Sequence, residues 1–410
     1  MTVKIGDILV GIDIGTAKTC AVIGEVTPQG LDIIGLGSKP SSGMQKGAVT
    51  NIDGASQVIE RALNEAEAVA GFDTISSVIV NITGNHIQGF NSDGVAPVKN
   101  PEITDEDVAR VLESAKAVAI PPDREFLHVL AQEYTLDGQS GIRNPKGMCG
   151  VRLEARVHIV TGSINCAQNI INCINRCRLE VEDLVLSSLA ASEAVLTEDE
   201  KELGCALVDI GGGTTDMAIW THGSLVHTHV LGVGGYNITS DIAQALKIPL
   251  KDAEKLKILS GYAMTSAVPA DDVILIPTAD DRDPPRKMPA QALAEIIEPR
   301  LEEILEMVNR EIEKSGYKQA LPGGIVLTGG TSIMNAAPEL AQRTFGLPVR
   351  RGMPYNVGGF SDHVANPQYS TAVGLMLYAM NRPDVMTYNP QDAQKSSIIH
   401  RIVSWLKTIV

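Results

Sequence analysis

The sequence predicts an α/β protein in which a β-β-β-α unit is duplicated, with a compact β-α-β-β unit inserted in the first half. Three observations carry this. Asp13-Ile14-Gly15-Thr16 and Asp209-Ile210-Gly211-Gly212-Gly213-Thr214 stand at matching places in two β-β-β-α successions, the mark of an internal duplication. Around them, short apolar runs alternate with segments of helical period, the pattern of a layered α/β architecture. Between the first-half strands, residues 84–157 have a different texture, with a helix followed by two alternating strands.

Taken in order, residues 8–14 and 19–25 are apolar runs divided by Gly15-Thr16 and read as paired strands, and 31–37 is a third. Residues 52–70 carry helical apolar spacing and stop at Gly71, suited to a left-handed C-cap. Residues 77–82 are again a strand. In the insert, Thr104 is expected to cap a helix running to Ala119, with Asp107 completing a capping box and Pro121-Pro122 ending it. Residues 126–136 and 149–160 follow as strands. The main pattern resumes with a strand at 158–162, a helix through Cys177, a strand at 181–186 and a helix to about Leu196. Polar residues 197–202 mark the boundary between halves. Residues 205–210, 216–220 and 224–231 then repeat the opening strands, and a helix starts near Ile238. The Pro- and Asp-rich stretch 266–290 reads as loop or irregular strand. Residues 290–314 form a long amphipathic helix with Leu301, Ile304, Leu305, Val308 and Ile312 on one stripe, which Pro299 should kink or split. Residues 324–327, the turn Thr328-Gly329-Gly330 and a helix from Ile333 make a strand-turn-helix. Residues 369–380 form a last apolar helix, and 381–395 a polar linker.

Composition excludes several classes. The chain has 410 residues, 44% apolar and 20% charged, which is ordinary for a globular protein and not for a disordered one. With 34 Lys and Arg against 49 Asp and Glu, its net charge of −15 argues against general binding to nucleic-acid phosphates. Aromatics at 4% offer no stacking platform for single strands. The start, Met1-Thr2-Val3-Lys4-Ile5-Gly6-Asp7, does not read as a signal peptide, so reduced thiols in the cytoplasm are expected for the six cysteines. No run is long and apolar enough to span a membrane.

The last residues differ from the body. Lys395, Arg401 and Lys407 lie in 394–410 with no acid among them. On a helical wheel Ile398, Ile402, Trp405, Leu406 and Ile409 fall within about 100° of one another, and Ile399, Val403 and Val410 widen that face to about 160°. Ser397, His400, Arg401, Ser404, Lys407 and Thr408 occupy the remaining arc. Such a segment is expected to lie in an anionic membrane surface, reversibly when alone.

The chemistry sits in the glycine-rich turns. Each Asp-x-Gly turn joins two hairpin strands, and glycines let backbone amides approach an anion. Two such hairpins face to face can clamp a polyphosphate. Asp13 and Asp209, at strand ends, are placed to hold Mg²⁺ through water, because that ion keeps most of its waters and needs few carboxylates.

Gly11-Ile12-Asp13-Ile14-Gly15-Thr16, the run from Val208 to Asp216, and Ile325-Val326-Leu327-Thr328-Gly329-Gly330 resemble the phosphate-1, phosphate-2 and adenosine motifs of the actin/Hsp70 ATPase superfamily. Over residues 8–380 the chain is most similar to the FtsA family of bacterial cell-division proteins. The 84–157 insert resembles that family's SHS2-like subdomain 1C, the 298–312 run its subdomain 2B helix, and the linker and tail its membrane anchor. The resemblance implies an actin-like ATPase fold, two duplicated β-β-β-α-β-α-β-α halves flanking a nucleotide cleft, with subdomain 1A at 1–83 and 158–196, 2A at 197–247 and 320–380, 2B at 248–319, a flexible linker at 381–395 and an amphipathic targeting helix at 396–410. It implies ATP and Mg²⁺ in the cleft, with Gly15, Thr16 and Lys18 on one side of the phosphates and Gly211, Gly212, Gly213 and Thr214 on the other. Gly234 and Gly235 would add backbone donors, Glu254 and Lys257 would grip the ribose, and Gly329, Gly330 and Thr331 would border adenine. The Glu254–Lys257 spacing fits equally a solvated helix face with an i,i+3 pair.

The resemblance further implies a cell-division adaptor at the cytoplasmic face of the inner membrane, tethering FtsZ and polymerising through its actin-like body, with downstream division partners. The FtsZ C-terminal peptide would meet subdomain 2B at Arg300, with Glu303 nearby; the alternative for Arg300 is a solvated charge in an i,i+3 pair with Glu303. Other members of the superfamily, a pilus-assembly adaptor or a small-molecule kinase, are the alternatives. One departure stands out. Where many superfamily ATPases place a Glu or Gln to orient the attacking water, this chain has Ser187 or Ser188, and a serine is a poor base at neutral pH. Weak or no hydrolysis is expected. Cys166, Cys173 and Cys177, at helical spacing, read as core cysteines, His227 and His229 as ordinary strand residues, and Trp220 as a packing residue.

Overall fold

The computed structural model describes residues 4–71, 75–276 and 285–381. Its body is two sheets of one plan. In the first, Ile8–Ile14 pairs antiparallel with Lys18–Thr27, which pairs with Gly30–Pro40; Ser77–Ile82 lies parallel on the other flank, with Glu180–Leu186 beyond it. In the second, Cys205–Ile210 pairs antiparallel with Thr215–Thr221 and that with Ser224–Leu231; Ile325–Thr328 lies parallel on the other flank, with Val349–Arg351 beyond. The duplication read from the two Asp-x-Gly turns is thus a duplication of topology.

Local chemistry explains the first helix, Ile52–Ala70. The Asn51 side chain accepts from the Gly54 N–H at its start, and Gly71 closes it at φ 74° with its N–H on the Glu67 carbonyl. Its buried face lies on strand Gly30–Pro40. A Cβ at Gly37 would come within 1.9 Å of the Ala62 carbonyl oxygen, so only glycine allows that approach.

The insert is a separate four-stranded antiparallel sheet in the order Gln88–Pro97, Arg152–Ser163, Arg124–Leu136, Gln139–Ile142, covered by helix Asp105–Ala115 over its own apolar cluster. Several expectations change here. The strand expected at 158–162 is the end of Arg152–Ser163 and belongs to the insert. The helix has its capping box, with the Asp107 carboxylate accepting from the Thr104 N–H at 3.0 Å, but ends at Ala115, not Ala119. The Ser92 hydroxyl donates to the Ala115 carbonyl at 2.9 Å, at the last residue of the helix. The β-α-β-β reading expects a strand ahead of the helix without placing it, and that strand is Gln88–Pro97. It lies against Ser224–Leu231, and side chains bridge the two: His158 joins Asn91 (2.8 Å) to Thr228 (2.9 Å), and Asn91 donates to the Val226 carbonyl at 3.2 Å.

Elsewhere the polar boundary 197–202 is a capped helix, Glu198–Leu203. The helix expected near Ile238 begins at Gly235, and the one expected at Ile333 is a 3-10 turn, Gly330–Ile333, followed by Ala337–Phe345. Pro299 does not split the long helix, which runs as Ala290–Ser315. Within 266–290, Val273–Ile276 pairs with Arg286–Pro289.

The largest difference concerns the end of the body. Residues 320–380 were expected to belong to the second half. Val357–Gly359 instead adds to the first sheet beside Gly30–Pro40, and the last helix, Ser370–Met380, packs on the first half against Ile8–Ile14 and on Ser187–Val195, the helix that joins the halves. Residues 370–379 of that helix are all buried, so it must lie centrally. Gly11 makes room for it: a Cβ there would sit 2.6 Å from the Ala372 carbonyl oxygen.

Candidate nucleotide-binding cleft

The two glycine turns meet. Gly15 closes its hairpin by donating to the Lys18 carbonyl (3.0 Å), and Gly211 closes the other on the Thr214 carbonyl (2.9 Å). A Cβ at Gly212 would fall 2.7 Å from the Ala17 Cβ, and one at Gly213 2.5 Å from the Thr16 Oγ1. The sequence places glycine at the points of closest approach between the halves. Among the described residues, the backbone N–H groups of Thr16, Ala17, Gly212, Gly213 and Thr214 donate to no protein acceptor. Unpaired N–H groups concentrated on two facing turns fit an anion with several oxygens.

Gly234 and Gly235 do not add to that donor set as expected. Helix Gly235–Leu246 starts directly on the second turn. Its first N–H groups, which a helix leaves unpaired, point at the turn carbonyls: Gly235 donates to Gly211 at 2.9 Å and Tyr236 to Gly212 at 2.7 Å. The Gly234 N–H goes to the Asn237 side chain at 3.1 Å. These residues brace the turn from behind.

Three aspartates lie beneath the turns. Asp13 is next to the end of the first strand of one half, Ile8–Ile14. Asp209 is in the corresponding strand of the other half and stands opposite Asp216 in the ladder. Asp209 accepts from the Thr371 hydroxyl at 3.2 Å and Asp216 from the Thr83 hydroxyl, which reaches over from the first half. Gly329, at φ 85°, lies against Asp209; a Cβ there would be 2.2 Å from its Oδ1. Burial lifts the Asp209 carboxyl to about 8, with the charges of Asp216 and Asp13 adding to the effect. Burial lifts Asp216 to about 6 and also raises Asp13, against which Lys18 acts. A divalent cation would relieve this crowding of buried carboxylates. Among the described residues no three His, Cys, Asp or Glu side chains form a metal cage. An ion here would draw its other ligands from phosphate and water. Sequence reasoning gave Asp216 no role. The available signal was an acid within Thr215–Thr221, a strand buried along its whole length.

Lys18 donates to the Gln368 carbonyl at 2.6 Å, with its ammonium 4.7 Å from the centre of the Tyr369 ring and 3.9 Å from Asp13. Glu254 and Lys257 pair at 2.7 Å, and the solvated-face reading holds for only one of them. Lys257 is buried beneath the start of helix Gly235–Leu246, donating to the Gly235 carbonyl at 3.1 Å and the Thr239 hydroxyl at 2.9 Å. Burial pulls its ammonium below the ordinary lysine range, with Glu254 opposing. Thr331 donates to the Gly211 carbonyl at 3.2 Å, which joins the third glycine turn to the second. Nothing lies within 4 Å of a Cβ built on Gly330, so that position is open.

Ser187 and Ser188 are both buried at the start of the helix joining the halves. The Ser187 hydroxyl donates to the Ile82 carbonyl at 3.3 Å and accepts from Asn81 at 3.0 Å. Arg300 lies off the apolar stripe but is not a free charge. Its guanidinium grips Asp241 of helix Gly235–Leu246 (2.5 and 3.2 Å) and also bonds Glu303. The tail residues Ile398, Ile402, Trp405, Leu406 and Ile409 lie outside the described residues, as does the linker from residue 382. No helix of the described residues is long and apolar enough to cross a membrane.

Comparison with known proteins agrees with this architecture. Residues 206–374 match the family described as cell division protein FtsA, and residues 84–161 match the SHS2 domain inserted in FtsA. The chain is 48% identical to the cell division protein FtsA of Pseudomonas aeruginosa, covering 99% of each chain. It is 43% identical to that of Escherichia coli strain K12, covering 98% of this chain and 97% of the relative. Among solved structures it resembles the PilM-PilN type IV pilus biogenesis complex (TM-score 0.66, 17% identity, 91% of this chain and 98% of that one). It also resembles MreB5 of Spiroplasma citri bound to ADP (TM-score 0.52, 14% identity, 96% and 98%). At these identities the two structures speak for the fold, which is the actin-like one.

Proposed function

Because the chain belongs to the FtsA family of cell-division proteins, we propose that it is an ATP-binding, actin-like adaptor that tethers FtsZ to the cytoplasmic face of the membrane at the division site. The observation that carries the nucleotide part is the meeting of Gly212-Gly213 with Thr16-Ala17, five unpaired N–H groups on the two turns, and Asp13 and Asp209 behind them. The triphosphate lies between the turns, and its N–H donors come from both halves. Asp13 and Asp209 would hold hydrated Mg²⁺, whose charge would offset that of the phosphates and of the buried carboxylates. Lys18 can exchange the Gln368 carbonyl for a phosphate oxygen. Lys257, fixed under Gly235, and Glu254 hold the ribose, and Gly329, Gly330 and Thr331 border adenine.

In this reading ATP sets conformation more than it is consumed. Ser187 is buried, its oxygen already accepts from Asn81, and a serine hydroxyl is a poor base at neutral pH, so it offers none to an attacking water. The first sheet serves as subdomain 1A, the insert as 1C, the second sheet as 2A and residues 248–319 as 2B. The FtsZ C-terminal peptide binds 2B at Arg300, where a carboxylate of the peptide displaces Glu303 while Asp241 keeps the guanidinium oriented. Residues 396–410 contact anionic lipid through the apolar arc around Trp405. One such segment binds weakly, so attachment is firm only when copies of the chain assemble.

Calorimetry with ATP and Mg²⁺ tests the cleft. The unmodified chain should bind. Gly212→Val, which drives a branched side chain into Ala17, should lose ATP affinity while keeping its fold by circular dichroism. Equal binding by the two would refute the assignment.

A further inference from the structure

Asn81 is the one carboxamide in strand Ser77–Ile82, and it is almost fully buried. Its Oδ1 accepts from the Ile14 N–H at 2.7 Å. Its Nδ2 donates to the Asp13 Oδ1 at 2.9 Å and to the Ser187 Oγ at 3.0 Å. The orientation of the amide follows from its partners. The Ile14 N–H can only donate and the Asp13 carboxylate only accepts, while Ser187 has committed its proton to the Ile82 carbonyl. Both amide hydrogens and the oxygen are therefore engaged, and a flipped amide would lose all three bonds.

The consequence falls on Asp13. With Oδ1 held by Asn81 and the adjoining Ile14 backbone held by the same side chain, the carboxylate cannot rotate freely. It presents Oδ2 toward the Lys18 side of the cleft. A strand of valine and isoleucine could form the sheet without any amide at this place. We propose that Asn81 is a positioning residue for the metal–nucleotide complex: it fixes the Asp13 carboxylate in the orientation that receives the hydrated cation. This rests on the reading of the cleft as an ATP site. It goes beyond that reading by assigning the metal-dependent part of affinity to a residue that touches neither phosphate nor ion.

The test compares ATP affinity in Mg²⁺ with ATP affinity in EDTA, by calorimetry on the full chain. The ratio of the two is the metal-dependent gain. Asn81→Ala should reduce that gain about tenfold or more, the usual effect of removing a hydrogen bond to a charged group, and leave the EDTA affinity within about twofold. Ser187→Ala, which removes a different partner of the same amide, should keep the parent's gain. If the alanine variant is not recovered folded, Asn81→Ser is used, since its short hydroxyl cannot span both Ile14 and Asp13. An unchanged gain in the folded Asn81 variant overturns the proposal, and so does an equal loss with and without Mg²⁺. An unmodified chain that binds no ATP under either condition overturns the reading of the cleft itself.

Discussion

Gly374 of the last helix lies directly on Ala190 of the helix that joins the two halves: a Cβ at position 374 would come 1.8 Å from the Ala190 carbonyl oxygen. The close crossing brings Ser370–Met380 back onto the first sheet after the chain has completed the second. Thr371 of the same helix also reaches Asp209, so the helix touches both halves. Gly374→Val should therefore force the helices apart and destabilise the protein by about 3 kcal/mol or more, at the upper end for overpacking. Urea unfolding would show this as a lower midpoint; a midpoint within error of the parent's would contradict the crossing.

A second prediction concerns acid. His128 accepts from the Leu186 N–H at 3.0 Å, and burial lowers its pKa to about 4. His158, between Asn91 and Thr228, is lowered to about 3, chiefly by burial. An unfolded histidine titrates near 6.5, so below that pH the unfolded chain takes up protons that these two refuse when folded. Stability is fully present above about 6.5. It falls with pH toward about 4 for His128 and about 3 for His158, by up to about 1.4 kcal/mol per pH unit for each. The double variant His128→Gln/His158→Gln should lose less stability than the parent between pH 6.5 and 4.5 in chemical denaturation. Parallel curves would mean that these rings are not buried in the neutral form.

The partner site gives a third. Arg300→Glu removes the bond to Asp241 and sets a third carboxylate beside Asp241 and Glu303. Affinity for an FtsZ C-terminal peptide, read by fluorescence anisotropy, should drop several-fold while ATP binding stays at the parent's level. Equal peptide affinity would leave Arg300 with only its intramolecular role.

Much of this architecture was legible in the sequence because it depends on residues that leave local marks. The paired Asp-x-Gly turns gave away the duplication, and Gly71 marked a helix end that the structure reproduces to the residue. What escaped depends on distant contacts. The place of the insert's first strand was hidden because Gln88–Pro97 contains few strand-forming residues and is held by its neighbours Arg152–Ser163 and Ser224–Leu231. Glycine at position 235 suggests a backbone ligand donor, but its N–H is taken by the Gly211 carbonyl, 2.9 Å away and remote in sequence. The Arg300–Glu303 pair is legible from its i,i+3 spacing, but the grip on Asp241 is not, because that residue is 59 residues earlier in the chain. Asn81 and Asp216 each left one faint signal, a polar residue in a buried strand, with no indication of which group it serves.

The account stands or falls on whether the chain joins FtsZ to a membrane. The direct measurement is flotation of FtsZ with anionic vesicles in the presence of ATP, using the intact chain, Trp405→Glu and a chain ending at Gln394. FtsZ should rise with the vesicles only with the intact chain, while all three forms bind ATP equally. FtsZ that floats equally well with the shortened chain, or fails to float with the intact one, would contradict the account.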